Sequence, residues 1–322
     1  MKVVKVASAQ LASVFMNREA SLAKVLDAMS EAAANGATLM AFPETFVPGY
    51  PSWADFSDAS TFDDPAQKAA YAIYLDNAVD IARGDLDDVV ALAAELGMFV
   101  YLGIAERSSS GHSIYCTLVA IDPVGGIVSA HRKLKPTYGE RLMWADGDGN
   151  GLVVHEADIA SDPASGGNHG VKVSGLNCWE NWMPLARTAM YAQGTEVHIA
   201  TWPGSPGTSH DISRFVAREG RVFVVSSGAV LGKQHVPADF PVLDQMLEIA
   251  DTWASGGSII VSPDGETLAA GEPHEECIIY ADLDLALVRG EHQNFDPVGH
   301  YSRPDVLQLT VDRTRREPAT FI

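Results

Sequence analysis

Val171-Lys172-Val173-Ser174-Gly175-Leu176-Asn177-Cys178-Trp179-Glu180-Asn181 reads as a strand that runs into a cysteine and then into a helix. The helix is expected over about 181–193, with Leu185, Ala189 and Ala192 on one face and Gly194 just past its end. A strand at 197–200, a helix at 209–219 and a strand at 222–226 follow. Strands alternating with helices in this way belong to an α/β fold.

The pattern extends in both directions. Residues 3–9 form a short apolar strand, and Asn17 is placed to cap a helix reaching about Ala34, with Asn35-Gly36 as its stop. A strand at 38–42 ends in Pro43-Glu44. Helical stretches follow at about 65–82 and 86–96, broken by Gly97. Strands at 98–105, 113–121 and 127–131 come next, the last two joined by the turn Asp122-Pro123-Val124-Gly125-Gly126. A short strand is expected at 152–155, and the polar residues from about 156 to 170 read as a surface loop. Late strands lie near 258–261 and 277–281, separated by Pro263-Asp264-Gly265. Hairpins mixed with strand–helix–strand units predict mixed sheets covered by helices on their outer faces. No internal repeat or low-complexity linker appears, so residues 1–322 read as a single domain.

Composition narrows the function. The chain is 47% hydrophobic and 20% charged, as expected of a globular protein. No apolar run approaches the roughly 20 residues of a membrane helix. Met1-Lys2-Val3-Val4-Lys5-Val6 reads as the start of a strand rather than a signal peptide, so a cytoplasmic location is the default expectation. A net charge of −20 disfavours nucleic acid and anionic membrane as partners. Three cysteines without a Cys-x-x-Cys pair are neither a disulfide framework nor a metal site. Cys116 and Cys277 read as small buried hydrophobes on strands.

Three strand ends each deliver an unusual polar residue. Glu44, in Phe42-Pro43-Glu44-Thr45-Phe46, is flanked by proline and aromatics that desolvate it and raise its pKa toward that of a base. His131-Arg132-Lys133-Leu134-Lys135 follows the hairpin and can aim Lys133 or Lys135 into a cleft. Cys178 sits where a strand becomes a helix, and free N–H groups there favour a thiolate. A thiol nucleophile, a carboxylate base and an ammonium make a self-consistent set for acyl or imidoyl transfer.

Other motifs lead nowhere. Asp146-Gly147-Asp148-Gly149-Asn150-Gly151 starts like a calcium loop, but its twelfth position is Ala157, where a bidentate glutamate is required. No G-x-G-x-x-G, H-E-x-x-H or G-x-S-x-G occurs. Neither a metal nor a cofactor is expected. Tyr50, Trp53, Phe56 and Trp202 follow strands and are candidates for a substrate pocket.

Phe42-Pro43-Glu44 with Gly49-Tyr50-Pro51, Arg132-Lys133, and Cys178-Trp179-Glu180-Asn181 together resemble the nitrilase superfamily, and Gly299-His300-Tyr301-Ser302-Arg303-Pro304 resembles its C-terminal region. Cys-Trp-Glu and Lys-Pro-Thr-x-x-Glu-Arg look like the nitrilase branch. The resemblance implies an α-β-β-α sandwich and a Glu44–Lys133–Cys178 catalytic set, with Glu140 as a second glutamate near the lysine and the Trp179 N–H as an oxyanion donor. It implies hydrolysis of a nitrile by water through thioimidate and thioester intermediates. An amidase or a cyanide-hydrolysing relative with the same set is the alternative, and a silent assembly protein on this fold is the non-enzyme alternative. A homodimer or larger homo-oligomer is implied, with the segment from about 282 to 322 reaching a partner subunit.

Overall fold

The computed structural model describes residues 2–108, 111–162, 167–316 and 319. Its first half contains β1 (Val3–Gln10), α1 (Arg18–Ala34), β2 (Leu39–Ala41), α2 (Trp53–Phe56), α3 (Pro65–Asn77), α4 (Asp87–Leu96), β3 (Phe99–Arg107), β4 (Ile114–Asp122) and β5 (Gly126–Arg132). The second half contains β6 (His155–Asp162), β7 (Gly167–Asn177), α5 (Pro184–Tyr191), β8 (Val197–Trp202), α6 (Pro206–Gly220), β9 (Phe223–Gly228), β10 (Val230–Gly232), α7 (Leu243–Ile249), β11 (Thr252–Ser255), β12 (Ile259–Val261), β13 (Thr267–Ala270), β14 (Cys277–Asp284) and α8 (Ala286–Glu291).

β1, β2 and β3 are parallel, β4 and β5 continue that sheet antiparallel, and β14 closes its other side against β1. In the second half β7, β8 and β9 are parallel, flanked by antiparallel β6 and β12–β13. Apart from β14, the strands of the second half join the first-half sheet, among the described residues, only where Val3 faces Ser161. Elsewhere they stack.

The strand period of two explains the stacking. Val4 and Val6, Leu39 and Ala41, Phe99 and Tyr101, and Leu118 and Ala120 point inward, against Val171, Val173, Val197, Ile199, Phe223 and Val225. The alternate residues Ala7, Ala9, Met40, Val100 and Leu102 point outward, under Val25 and Met29 of α1 and Val89 and Ala93 of α4. On the far side Ala200, Trp202 and Val224 meet Ile212, Val216 and Ala217 of α6. Strands apolar on both faces and helices apolar on one build four layers, α-β-β-α, as expected. Each fully buried Val, Leu or Ile contributes roughly 1.5–3 kcal/mol relative to exposure.

Several expectations need correction. The surface loop at 156–170 is largely a hairpin, in which His155 pairs with Val173 and Asp158 with Gly170. Glu156, Asp158 and Ser161 are exposed on the outward face of β6, whose Ala157 and Ile159 are buried, as is Val171 of β7. Residues 163–166 lie outside the described residues. The strand expected at 152–155 starts only at His155, after a 3-10 turn at Gly149–Gly151. The helix expected over 181–193 is split into a 3-10 helix, Cys178–Trp182, and α5. Pro184 explains the break, because it pushes Met183 out of helical geometry (ψ 109°) and then serves as the first residue of α5. The β10–β11 hairpin, α7 and β13 were not anticipated.

The late segment stays partly on its own chain. β14 pairs along all of β1. Farther on, the Arg316 N–H donates to Asp148 at 3.0 Å, Arg315 donates to the Ala130 carbonyl at 2.8 Å, and Asn150 donates to the Arg313 carbonyl at 3.1 Å. The loop that starts like a calcium site therefore receives the C-terminal strap.

Candidate active site

The C-terminal ends of β2, β7 and β5 meet the first half of β4 at one end of the sandwich. Beyond β2, the Glu44 N–H donates to the Trp202 carbonyl at 3.3 Å, tying the ends of β2 and β8 together. Gly103 of β3 makes room for this crossing, since a Cβ there would lie 2.1 Å from the Pro43 carbonyl oxygen. Cys178 follows β7 with φ +47°, a left-handed conformation that costs a non-glycine residue about 1–3 kcal/mol. Such a turn lifts the side chain off the sheet end, and surrounding bonds hold it. Asn181 donates to the carbonyls of Cys178 (2.9 Å) and Leu176 (3.2 Å). The Asn181 side-chain oxygen accepts from His198 Nε2 at 2.8 Å. Burial and Arg187 push His198 down to about 3, so it is a neutral prop.

Lys133 links the set. Its ammonium donates to Glu44 Oε1 at 2.8 Å and to Glu140 Oε2 at 2.6 Å, with its side chain fully buried. Lys135, by contrast, pairs with Asp146 in solvent. Glu140 is held by the Thr137 N–H (2.6 Å) and by the Tyr50 hydroxyl (2.9 Å). One carboxylate oxygen each of Glu44 and Glu140 and the Cys178 sulfur lie within 4.8 Å of one another. This is the one group of three potential metal ligands found among the described residues. The Lys133 ammonium already bridges its two carboxylates, so the group is built around an organic cation.

Electrostatics follow from burial. Desolvation raises Glu44 to about 7, against the pull of Lys133 and with the push of Glu140. Burial and Glu44 hold the Cys178 thiol well above its ordinary value, despite Lys133 and a Trp179 N–H aimed at the sulfur. Burial, together with the two carboxylates, thus outweighs the ammonium and the N–H that favour a thiolate. Burial works against the charge of Lys133, but Cys178, Glu44 and Glu140 reverse this and hold it well up.

Of the expected pocket residues, Tyr50 reaches the site through Glu140. Trp202 is fully buried at the end of β8, and its backbone anchors Glu44. Trp53 is packed between Phe15, Tyr74 and Phe240, in an aromatic core. The Trp179 ring is half-exposed and stacks on Trp182.

Two residues escaped the sequence reading. Glu180 accepts from the N–H of Leu134 (2.6 Å), from the N–H of Asn177 (2.9 Å) and from His131 (3.1 Å), joining the neighbour of Lys133 to the neighbour of Cys178. Its glutamate three residues after Asn177, a capping-box spacing, was the available signal. Cys116, read as an inert hydrophobe, donates to Glu44 Oε1 at 3.3 Å. No local signal marks it.

Comparison with known proteins gives the family and the fold. The sequence profile of the carbon–nitrogen hydrolase family matches residues 5–292. A bifunctional nitrilase/nitrile hydratase from Lupinus angustifolius is 34% identical, over 99% of this chain and 88% of that protein. A nitrilase from Bradyrhizobium diazoefficiens is 36% identical over 98% and 94%, and an aliphatic nitrilase from Rhodococcus rhodochrous 33% over 99% and 82%. Among solved structures, a carbon–nitrogen hydrolase from Helicobacter pylori superposes with a TM-score of 0.66 at 17% identity, covering 94% of this chain and 96% of that one. A Saccharomyces cerevisiae protein of branch 10 of the nitrilase superfamily gives 0.66 at 17% identity, over 93% and 97%. These two likenesses speak for the fold.

Proposed function

The chain belongs to the nitrilase branch of the carbon–nitrogen hydrolase family, and we propose that it hydrolyses a nitrile to the carboxylic acid and ammonia, with Cys178 as nucleophile, Glu44 as base and Lys133 as electrophilic partner. The observation that carries the assignment of roles is the convergence of the Cys178 sulfur with two buried carboxylates bridged by one buried ammonium.

A neutral thiol needs a base, and Glu44, raised to about 7, takes its proton near neutral pH. The sulfur adds to the nitrile carbon, and the nitrogen gains a proton from the Lys133–Glu44 pair, giving a thioimidate. Water, deprotonated by Glu44, adds to that carbon. The nitrogen leaves as ammonia and a thioester remains. A second water releases the acid and returns the proton to the thiol. The Trp179 N–H stabilises the tetrahedral oxyanion, and such a donor is typically worth about 10²–10³ in rate. Glu140, clamped by Thr137 and Tyr50, positions Lys133.

The reading includes a cytoplasmic homodimer or larger homo-oligomer. Three free cysteines fit a reducing compartment. The adjacent exposed apolar residues Trp179, Trp182, Met183 and Leu185 fit a surface covered by another subunit. No helix among the described residues is long and apolar enough to cross a membrane. The decisive assay feeds a nitrile, its amide and cyanide separately and measures ammonia and acid. Acid and ammonia from the nitrile support the reading, whereas turnover of the amide alone defeats it. The name of the lupin relative makes released amide worth measuring in the same assay.

A further inference from the structure

We propose that Cys116 is a positioning residue for this reaction: with Lys133 it occupies one oxygen of Glu44, so that the other, Oε2, is the atom that takes the Cys178 proton. The inference rests on the reading of Glu44 as the base.

Cys116 lies on β4, 1% exposed, with its sulfur 3.3 Å from Glu44 Oε1. Lys133 Nζ donates to that same oxygen at 2.8 Å. A carboxylate oxygen offers about two lone pairs, so Oε1 is filled. Oε2 is equally buried and has no donor among the described residues. The two oxygens of one base are therefore unequal, one anchored and one open. A second bond joins the same residues, since the Lys133 N–H donates to the Cys116 carbonyl at 2.7 Å. One residue of β4 thus sets both the Glu44 side chain and the Lys133 backbone.

Cys116 suits the task because it remains a donor. Burial and the facing Glu44 push its thiol well above the ordinary range, so it keeps its proton while Glu44 is ionised. The other groups facing Glu44 are Lys133 and Glu140 beyond β5, Cys178 beyond β7, Tyr50, and Tyr74 of α3. Burial holds both phenols neutral. Among these groups Cys116 adds a neutral donor to the anchored oxygen, and donation to a carboxylate favours its ionised form. Removing the thiol lets the Glu44 value rise and lets its carboxyl swing.

The test measures the pH dependence of ammonia release, from a nitrile that the wild type hydrolyses, for Cys116→Ala, Cys116→Val and Cys116→Ser. Valine fills the space without a donor and keeps the test alive if the alanine variant folds poorly. For Ala and Val, kcat is expected to fall roughly three- to tenfold, what one neutral hydrogen bond supports, with KM nearly unchanged. The acid limb of kcat/KM moves to higher pH. Serine, a donor of similar size, returns both toward wild type. The proposal is overturned if the limb stays in place in Ala and Val, or if Ser is as impaired as Ala. Glu44→Gln separates the two levels. If Glu44→Gln stays active, the base assignment itself falls. If it is inactive while Cys116→Ala and Cys116→Val behave as wild type, only the role of Cys116 falls.

Discussion

Glu44 and Glu180 are both buried glutamates beside the same strand ends, yet their carboxyl groups are held in opposite directions. Burial raises both. At Glu44 it wins, because one oxygen receives Lys133 and Cys116 while the other receives nothing among the described residues. At Glu180 it loses to His131 and to the N–H groups of Leu134 and Asn177, and the carboxyl is held below its ordinary value. A carboxylate surrounded by donors is a brace that binds a proton less readily than an ordinary glutamate. A carboxylate left half-satisfied near neutrality can exchange one. Number of donors, rather than depth of burial, separates the base from the brace.

The strongest way to break this contrast is Glu44→Gln, which keeps shape and removes basicity. We expect a fall of about 10²–10⁴-fold in kcat/KM in a folded protein. In the wild type kcat/KM should drop about tenfold per pH unit below about 7, and the residual rate of the variant should lack that limb. Stability carries the opposite sign. A carboxyl raised from 4.5 to about 7 in the folded state contributes stability below pH 4.5 that is lost as pH rises through 7. Urea titrations at several pH values should show that loss in the wild type and a flatter profile in Glu44→Gln.

Glu180→Ala tests the other arm. It removes the acceptor from His131 and from the N–H groups of Leu134 and Asn177, and is expected to cost about 1–3 kcal/mol for each donor left unsatisfied, read by urea unfolding. Glu180, held low when folded, contributes stability present above pH 4.5 and lost as pH falls through its folded value, so acid should narrow the gap between wild type and variant. A variant as stable as wild type would mean that Glu180 braces nothing.

These two glutamates also mark how far the sequence can be read. Period-two runs such as Val3–Gln10 and the Asn17 cap of α1 are local and were legible. Glu44, Lys133 and Cys178 were legible because each ends a strand, where side chains collect at a sheet edge. The β6–β7 hairpin was hidden, because its inward residues alternate with polar ones whose composition matches a loop. Cys116 was hidden for another reason. Its bond to Glu44 spans 72 residues and forms only when β3 and β4 pair, Cys116 opposite Ala105. The Pro184 break in the helix after Cys178 was local and was overlooked.

The smallest expected effect lies one bond away from the nucleophile. Thr201 donates to the Asn177 side chain at 3.0 Å, beneath the Cys178 turn. Thr201→Val should cost about 0.5–1.5 kcal/mol of stability and only a few-fold in rate. A loss as large as that of Glu44→Gln would move Thr201 from the brace to the chemistry.

The central claim is that Cys178 forms the covalent intermediate. A reaction with a turned-over nitrile, quenched in acid and weighed after proteolysis, tests it most directly. The account predicts the acyl mass on the peptide carrying Cys178, unmodified Cys116 and Cys277 peptides, and no ammonia from a folded Cys178→Ala protein. Normal ammonia release by that folded variant, or an adduct on another cysteine, would contradict it.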